Sequence, residues 1–227
     1  MFLILLLISL MPACAKDGFL TTADQAQVFY EYYWPRHEKG AVVLLHGWSS
    51  NHNEWTNLRS ILNGNGWSTI AIDFRGHGIS TEGKGRKFDF HRFTEKDKHD
   101  MLFDVDAAVH KVQRSQKIWL AGSSFGAKLA LVSAIKNPNI QGVILFSPAV
   151  TKYSNFEQIM IRYGNRPILL VASEDDPRCF AASEKLYAEA KGPKKFIRYQ
   201  YAGHGANALL THDKKLKDEV LKWLNQE

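Results

Sequence analysis

Three polar residues in this sequence have the types that nucleophilic catalysis needs. Ser124 lies between Gly122 and Gly126, and Asp176 and His204 follow it along the chain. A serine hydroxyl is a poor nucleophile at neutral pH unless an imidazole takes its proton, and a carboxylate can fix the tautomer of that imidazole. The three residue types therefore predict acyl transfer, with Ser124 as the nucleophile, His204 as the base and one of the adjacent acids Glu174, Asp175 and Asp176 as the residue that orients the base.

The residues around Ser124 have the pattern of a sharp turn between a strand and a helix. The apolar run Lys117–Ala121 precedes the turn, and a stripe of small residues follows it at helical spacing, namely Gly126, Ala130 and Ala134. A serine on such a strained turn leaves no room for a neighbouring Cβ atom, which accounts for the two glycines. The alternative is an ordinary tight turn that contains the pattern by chance. Ser123 is expected only to fill the turn.

Short apolar runs precede the candidate residues and predict the sheet that positions them. The predicted buried strands cover 41–45, 69–72, 117–121, 143–146 and 168–172, with outer strands at 19–22, 27–33 and 196–201. Helix-like segments near 54–63, 97–114, 125–136, 179–190 and 213–225 alternate with them. This alternation predicts an α/β fold with a mostly parallel, doubly wound sheet flanked by helices. In such sheets the site forms beyond the carboxyl ends of the strands, where the candidate residues lie.

Further motifs at these strand ends extend the pattern beyond the three residues. They are Leu45-His46-Gly47-Trp48, Asp73-Phe74-Arg75-Gly76-His77-Gly78-Ile79-Ser80 and Gly203-His204-Gly205. With the order serine, acid, histidine, the sequence resembles the α/β-hydrolase fold superfamily, and in particular its serine esterases and lipases. The resemblance covers nearly all of the chain after the first 15 residues, and we expect a single domain over 16–227.

The resemblance also implies roles for individual residues. It favours Asp176 as the acid over the adjacent Asp175, and it implies an oxyanion hole formed by the backbone N–H groups of Trp48 and Phe125. His46 is expected to organise its loop, as are Arg75 and His77 in the loop after Asp73.

The expected activity is hydrolysis of carboxylic esters through an acyl-enzyme on Ser124, with a small-molecule ester as substrate and without a cofactor. Between the strands that end near Phe146 and start near Ile168 there is only one short helix-like segment, so no large cap domain is expected. Phe88, Phe90 and Phe93 could line an acyl pocket or pack onto the domain. A peptidase or amidase with the same triad, and a binding protein with an idle triad, are the alternatives.

A metal site is the chemical rival, because His91, Asp97, His99 and Asp100 cluster in the sequence. Their spacing matches no familiar ligand pattern, so we expect a solvated loop and no bound metal. The net charge of +6 comes from scattered lysines and arginines, which predicts a basic surface rather than a nucleic-acid partner.

The first residues predict export from the cell. The apolar run Phe2–Met11 is too short to span a bilayer, and residues 1–15 are interpreted as a signal peptide or a lipoprotein leader. Leu10–Cys14 resembles a lipobox, in which case Cys14 carries a lipid that attaches the protein to a membrane. We expect a location in the cell envelope or periplasm. Ordinary cleavage with secretion is the alternative, and so is a cytoplasmic protein if no leader is present.

Overall fold

A sheet of eight strands lies at the centre of the molecule. The computed structural model describes residues 14–83, 85–150 and 155–226. The strands are, in chain order, β1 Cys14–Thr21, β2 Gln27–Trp34, β3 Gly40–Leu45, β4 Trp67–Ile72, β5 Ile118–Ser123, β6 Ile140–Phe146, β7 Ile168–Ser173 and β8 Lys194–Tyr199. Their spatial order is β1-β2-β4-β3-β5-β6-β7-β8. β1 and β2 pair antiparallel to their neighbours and the other strands pair in parallel, which confirms the predicted sheet.

Helices cover both faces of the sheet. They are α1 Thr56–Gly64, α2 Glu95–Asp100, α3 Leu102–Lys111, α4 Phe125–Lys136, α5 Phe156–Tyr163, α6 Pro177–Glu189, α7 Gly205–His212 and α8 Leu216–Gln226. Val43 and Leu120 point to the face that α3, α4, α5 and α6 cover. Val42 and Trp119 point to the opposite face, against α1, α7 and α8. Because side chains of a strand alternate between faces, both faces need apolar residues, and the central strands are continuous apolar runs.

The space between β6 and β7 holds no large cap in the part that the structure describes. The one helix there is α5, of eight residues, and its Met160 and Tyr163 are buried against the core. The prediction of a domain without a large cap is confirmed. The carboxyl ends of the central strands are therefore not covered by a second domain on this side.

The predicted leader falls mostly on residues 1–13, which lie outside the described residues. Cys14 and Ala15, its last two positions, begin β1, where Cys14 is opposite Trp34 and its thiol is exposed. The leader and the domain boundary at residue 16 stay predictions. Among the helices of the described ranges, none has both the length and the apolar composition to cross a bilayer.

Candidate active site

Ser124 occupies the turn between β5 and α4 in a strained backbone conformation, with φ of +51° and ψ of −111°. A Cβ atom on Gly122 would lie 2.5 Å from Ala127 N, and one on Gly126 would lie 2.5 Å from the carbonyl oxygen of His46. Both contacts are with backbone atoms, which cannot swing away as a side chain can. The glycines on either side of Ser124 are thus required by packing, and the turn presents the hydroxyl beyond the strand end.

A continuous chain of hydrogen bonds joins the three sequence-predicted residues. Ser124 Oγ lies 2.8 Å from His204 Nε2, and His204 Nδ1 lies 2.6 Å from Asp176 Oδ2. An ionised carboxylate can only accept, so in neutral His204 the proton is on Nδ1. Nε2 is then free to accept the proton of the Ser124 hydroxyl. The arrangement has the donor and acceptor order that a general base needs.

The structure brings Asp176, and not Asp175, into contact with His204. The carboxylate of Asp175 instead accepts the Gly203 N–H at 3.2 Å. Hydrogen bonds from Ser173 and then from the backbone of Gly203 hold the pKa of Asp175 below its ordinary value. Asp175 therefore braces the turn that precedes the histidine.

The loop that carries His204 depends on two glycines in the left-handed region, Gly203 with φ of +74° and Gly205 with φ of +84°. The Gly205 N–H donates to Ser147 Oγ at 3.0 Å, and α7 begins at once. The loop is thereby tied to the end of β6. About half of the His204 side chain remains exposed, so the imidazole is fixed by its partners and still faces solvent.

Two backbone N–H groups next to Ser124 have no acceptor within the described residues, and they belong to Trp48 and Phe125. Phe125 is the first residue of α4, so its N–H has no partner in the helix. The Gly47 carbonyl accepts from His46 Nδ1 at 2.7 Å and from Ser50 N at 3.2 Å, which fixes the peptide whose N–H is that of Trp48. Both amides are therefore available to a substrate atom.

His46 is completely buried and holds this loop in shape. Its Nε2 accepts the Phe74 N–H at 3.0 Å, so the Nδ1 proton is donated to Gly47 O. Burial lowers the pKa of His46 to about 3, which keeps the imidazole neutral. The sequence predicts this organising role.

The comparisons with known proteins identify the family of this chain. Residues 36–166, more than half of the chain, match the family model described as serine aminopeptidase, S33. The chain belongs to this family of α/β hydrolases. The match includes Ser124 and Trp48, and it ends before Asp176 and His204.

Similar curated proteins are enzymes of the same superfamily. The hydrolase is 28% identical over 112 residues to phospholipase YtpA of Bacillus subtilis, which covers 48% of this chain and 40% of YtpA. It is 27% identical over 134 residues to the bifunctional esterase/perhydrolase DCH of Acinetobacter calcoaceticus, which covers 57% of this chain and 44% of DCH. The hydrolase thus aligns with less than half of the length of each of these relatives.

Solved structures share the fold over almost the whole chain. A predicted CIB-like hydrolase from Thermoplasma acidophilum superimposes with a TM-score of 0.75 at 17% identity, covering 95% of this chain and 100% of that one. Est1E from Butyrivibrio proteoclasticus, determined with ferulic acid bound, superimposes with a TM-score of 0.74 at 17% identity, covering 91% and 99%. These similarities confirm the α/β-hydrolase fold.

Glu54, which the sequence does not single out, connects three parts of the hydrolase site. Its Oε2 accepts the Gly47 N–H at 2.8 Å, and its Oε1 accepts the Ser123 hydroxyl at 2.6 Å. Ser123 Oγ in turn accepts the Ala206 N–H at 2.9 Å. The structure differs from the expectation that Ser123 only fills the turn. In the sequence Glu54 stands in a polar stretch, where an acidic residue gives no sign of such contacts.

Cys179 lies one helical turn after Asp176, with its Sγ atom 3.9 Å from His204 Nδ1. Burial, and then the hydrogen bond and charge of Asp176, raise the pKa of the thiol to about 12. The sulfur is therefore protonated at neutral pH and is not a competing nucleophile. The sequence gives no hint of this contact, because it depends on the path of the histidine loop.

The loop after β4 is held by a buried ion network, as the sequence predicts for Arg75. Its guanidinium binds Asp104 at 2.7 Å and also pairs with Asp24, and all but about 1% of the Arg75 side chain is buried. Burial raises the pKa of Asp104 to about 6, although the Arg75 charge opposes this shift. The His77 ring stacks on Phe90, with ring centroids 4.3 Å apart. Arg75 and His77 thus stabilise the loop.

A group of partly exposed rings, Trp48, Phe90, Phe93 and Phe125, lies beside the two free amides, and we call it the aromatic cluster. The Trp48 ring centroid is 5.7 Å from that of Phe90, 6.2 Å from that of Phe93 and 5.2 Å from that of Phe125. Phe88 is buried. Its ring centroid lies 6.4 Å from that of Phe93, and it also contacts the guanidinium of Arg86. Phe90 and Phe93 are therefore the members of the predicted set whose rings pair with that of Trp48.

An open cleft of about 710 Å³ adjoins Ser124, and its lining includes Asp176, Arg178, Cys179 and His204. The ligand atoms of His91, Asp97, His99 and Asp100 are not among those that converge as a group of three or more within the described residues. Asp97 binds Thr94 and Arg86, and Asp100 pairs with Lys96. Within the residues that the structure describes, the metal-ligating side chains that do converge are Asp176, Cys179 and His204.

Proposed function

We propose that this hydrolase cleaves carboxylic esters through a covalent acyl-enzyme on Ser124. The observation that carries the proposal is the hydrogen-bond chain from Ser124 Oγ through His204 to Asp176, at 2.8 and 2.6 Å. Its position at the carboxyl ends of the central strands, beside an open cleft, gives a substrate access to the hydroxyl.

The first half of the reaction forms the acyl-enzyme. Ser124 Oγ attacks the ester carbonyl carbon while His204 Nε2 takes the hydroxyl proton, and Asp176 stabilises the imidazolium that results. The carbonyl oxygen becomes an alkoxide, to which the N–H groups of Trp48 and Phe125 donate. When the tetrahedral intermediate collapses, His204 gives its proton to the departing alcohol.

The second half of the reaction releases the acid. Water replaces the alcohol, His204 takes one of its protons, and the hydroxide attacks the carbonyl carbon of the acyl-enzyme. Collapse of this intermediate breaks the bond to Ser124 Oγ, which recovers its proton from His204. The N–H groups of Trp48 and Phe125 stabilise the alkoxide again, because it forms on the same carbonyl oxygen.

The surroundings of Ser124 support an ester with an apolar or aromatic acyl group. The aromatic cluster borders the amides of Trp48 and Phe125, where the acyl carbonyl would bind, and offers apolar surface on that side. The relatives include a phospholipase and an esterase/perhydrolase, and the similar structure Est1E holds ferulic acid. These names are compatible with carboxylic ester substrates.

A peptidase or amidase with the same groups is the second candidate, favoured by the description of the matching family model as a serine aminopeptidase. One experiment separates the two: hydrolysis of aryl esters of increasing acyl length, compared with aminoacyl anilides. We expect ester cleavage to exceed anilide cleavage by a wide margin. The reverse preference would reject the ester proposal in favour of the peptidase.

The same assay tests the role of Ser124. The Ser124→Ala variant should lose ester cleavage, while Ser60→Ala, at an exposed position of α1, should retain it. Full activity of Ser124→Ala would show that another group performs the reaction. A binding protein with an idle triad would cleave neither class of substrate in any variant.

We further propose that the protein is exported and attached to a membrane through a lipid on Cys14. The apolar run before Cys14 and the exposure of its thiol at the start of the edge strand β1 support this. Metabolic labelling with a fatty acid should mark the wild type and not Cys14→Ser. Equal labelling of the wild type and Cys14→Ser would show that Cys14 does not carry the lipid. Absence of label from both proteins would favour ordinary cleavage or retention in the cytoplasm.

A further inference from the structure

Three side chains with metal-binding atoms converge at the edge of the cleft. The carboxylate of Asp176, Cys179 Sγ and His204 Nδ1 all lie within 4.8 Å of one another. Asp176 and Cys179 come from consecutive turns around the start of α6, and His204 comes from the loop before α7. Thiolate, imidazole and carboxylate are the ligands of zinc sites, and three protein ligands with one open position are common in zinc enzymes.

The distances require only small movements for coordination. Ligand atoms on one tetrahedral zinc lie roughly 3.3 to 3.7 Å apart, given bond lengths of about 2.0 to 2.3 Å. Cys179 Sγ is 3.9 Å from His204 Nδ1, and Asp176 Oδ2 is 2.6 Å from the same nitrogen. The sulfur must approach slightly, and the carboxylate must withdraw by about 1 Å or less.

A cation can reach these side chains from solvent through the cleft, and the charges that line the cleft favour its binding. All three ligand residues line it, so an ion can enter from solvent and keep a water molecule in its fourth position. Among the described residues of this lining, the carboxylates of Asp175 and Asp176 outnumber the guanidinium of Arg178. The local charge therefore attracts a divalent cation.

We propose that Asp176, Cys179 and His204 form an inhibitory site for a borderline divalent cation such as Zn²⁺. Coordination uses the lone pair of Nδ1, so the single proton of neutral His204 must be on Nε2. Nε2–H then faces Ser124 Oγ as a donor and cannot accept the hydroxyl proton. The cation thus blocks the base without contacting the nucleophile. The thiol proton of Cys179 is released to solvent as the metal–thiolate bond forms.

The inhibitory part of this proposal rests on the proposed role of His204 as the base, whereas cation binding does not. Binding is therefore measured first, on the full chain with Ser124→Ala, which cannot turn over substrate. Titration with Co²⁺ should give one bound ion per chain and a thiolate-to-cobalt charge-transfer band in the near ultraviolet. The band should disappear in Ser124→Ala/Cys179→Ser and in Ser124→Ala/Cys179→Ala, and it should persist in Ser124→Ala/Cys14→Ser. Absence of the band, or its persistence after loss of Cys179, would overturn the site.

The second measurement tests inhibition. Zn²⁺ should inhibit ester cleavage by the wild type and by Cys14→Ser, and a chelator should restore the rate. Relative to its own metal-free rate, Cys179→Ser should need at least about tenfold more Zn²⁺ for half-inhibition, since one ligand is lost. Equal sensitivity of the wild type and Cys179→Ser would overturn the inhibitory role. Failure of the esterase proposal would appear separately, as absence of ester cleavage without added metal.

Discussion

The Ser123 hydroxyl donates a hydrogen bond of 2.6 Å to Glu54, a residue 69 positions earlier in the chain. Oε1 of Glu54 therefore binds Ser123, the residue before Ser124. Oε2 of Glu54 accepts the Gly47 N–H, next to the amide of Trp48. Ser123 also accepts the N–H of Ala206, two residues after His204. The relative positions of Ser124, the Trp48 amide and His204 therefore depend on Glu54.

We predict that Glu54→Ala lowers kcat/KM for an ester by roughly tenfold to a hundredfold, because the freed N–H and O–H groups cost about 1 to 3 kcal/mol when they lack partners. Glu54→Gln should keep most of the activity, since its amide can accept from Gly47 N and donate to Ser123 Oγ. Steady-state kinetics of both variants provide the check. Equal loss in both would show that the charge, rather than the hydrogen bonds, is what matters.

The two adjacent aspartates should differ sharply in their effect on catalysis. Asp176→Asn should lower kcat by about 10³ to 10⁴, because an amide next to Nδ1 favours the wrong tautomer of His204. Asp175→Asn should lower kcat less than about tenfold, since the substitution affects only the hydrogen bond from the Gly203 N–H. Comparable losses in the two variants would contradict the assignment of the acid.

The packing of Gly126 in the turn between β5 and α4 leads to a prediction about stability. A Cβ on Gly126 would collide with the backbone of His46, so Gly126→Ala should destabilise the fold by several kcal/mol or prevent folding. Gly64→Ala is the matched control, because a Cβ atom added there, at the end of α1, would meet no other atom within 4 Å. It should raise the free energy of unfolding by about 0.5 to 1 kcal/mol. Urea unfolding measures the stability of both variants. A stable, active Gly126→Ala would contradict the close packing of Gly126 against the backbone of His46.

Two buried histidines should make the fold less stable in mild acid. Burial lowers the pKa of His46 to about 3 and lowers that of His77 as well. The pKa of a histidine in an unfolded chain is about 6.5, so below that pH the unfolded chain binds more protons than the folded one. Each histidine should lower the free energy of unfolding by at most about 1.4 kcal/mol per pH unit as the pH falls towards its folded pKa.

Urea unfolding between about pH 7 and pH 5.5 checks this prediction by comparing variants. His77→Gln should show a shallower dependence on pH than the wild type, whereas His37→Gln, at an exposed position, should match it. Asp104, whose pKa burial raises to about 6, acts in the opposite sense and is common to all three proteins. An unchanged slope in His77→Gln would count against the prediction.

The sheet could be predicted because its signal is local. Runs such as Ala41–Leu45 are apolar at every position, and the structure buries both faces of the strand that contains them.

The helices are harder to delimit. The segment predicted near 97–114 is two helices: α2 starts after a capping box at Thr94 and ends at Asp100, and α3 follows from Leu102. The sequence pattern does not indicate α7, since eight residues directly after a glycine loop give too short a periodic pattern.

The candidate triad could be predicted because residue types and flanking glycines indicated Ser124 and His204, and the resemblance to α/β hydrolases favoured Asp176 over Asp175. Glu54 and Cys179 could not, because what they do depends on which atoms the fold brings next to them. Glu54 reaches Ser123 only because β3 and β5 are neighbours in the sheet. Cys179 reaches His204 only because α6 starts beside the histidine loop. Neither contact leaves a pattern in the sequence.

The most direct test of the central claim is labelling with a fluorophosphonate, followed by peptide mass spectrometry. The reagent reacts with a serine that a neighbouring base has activated, and its adduct can be located on one residue. We predict a single adduct on Ser124 in the wild type and in Ser60→Ala, a strongly slowed reaction in His204→Ala, and no adduct in Ser124→Ala. A folded wild type that takes up no label, or equal labelling of Ser124→Ala, would contradict a mechanism through Ser124.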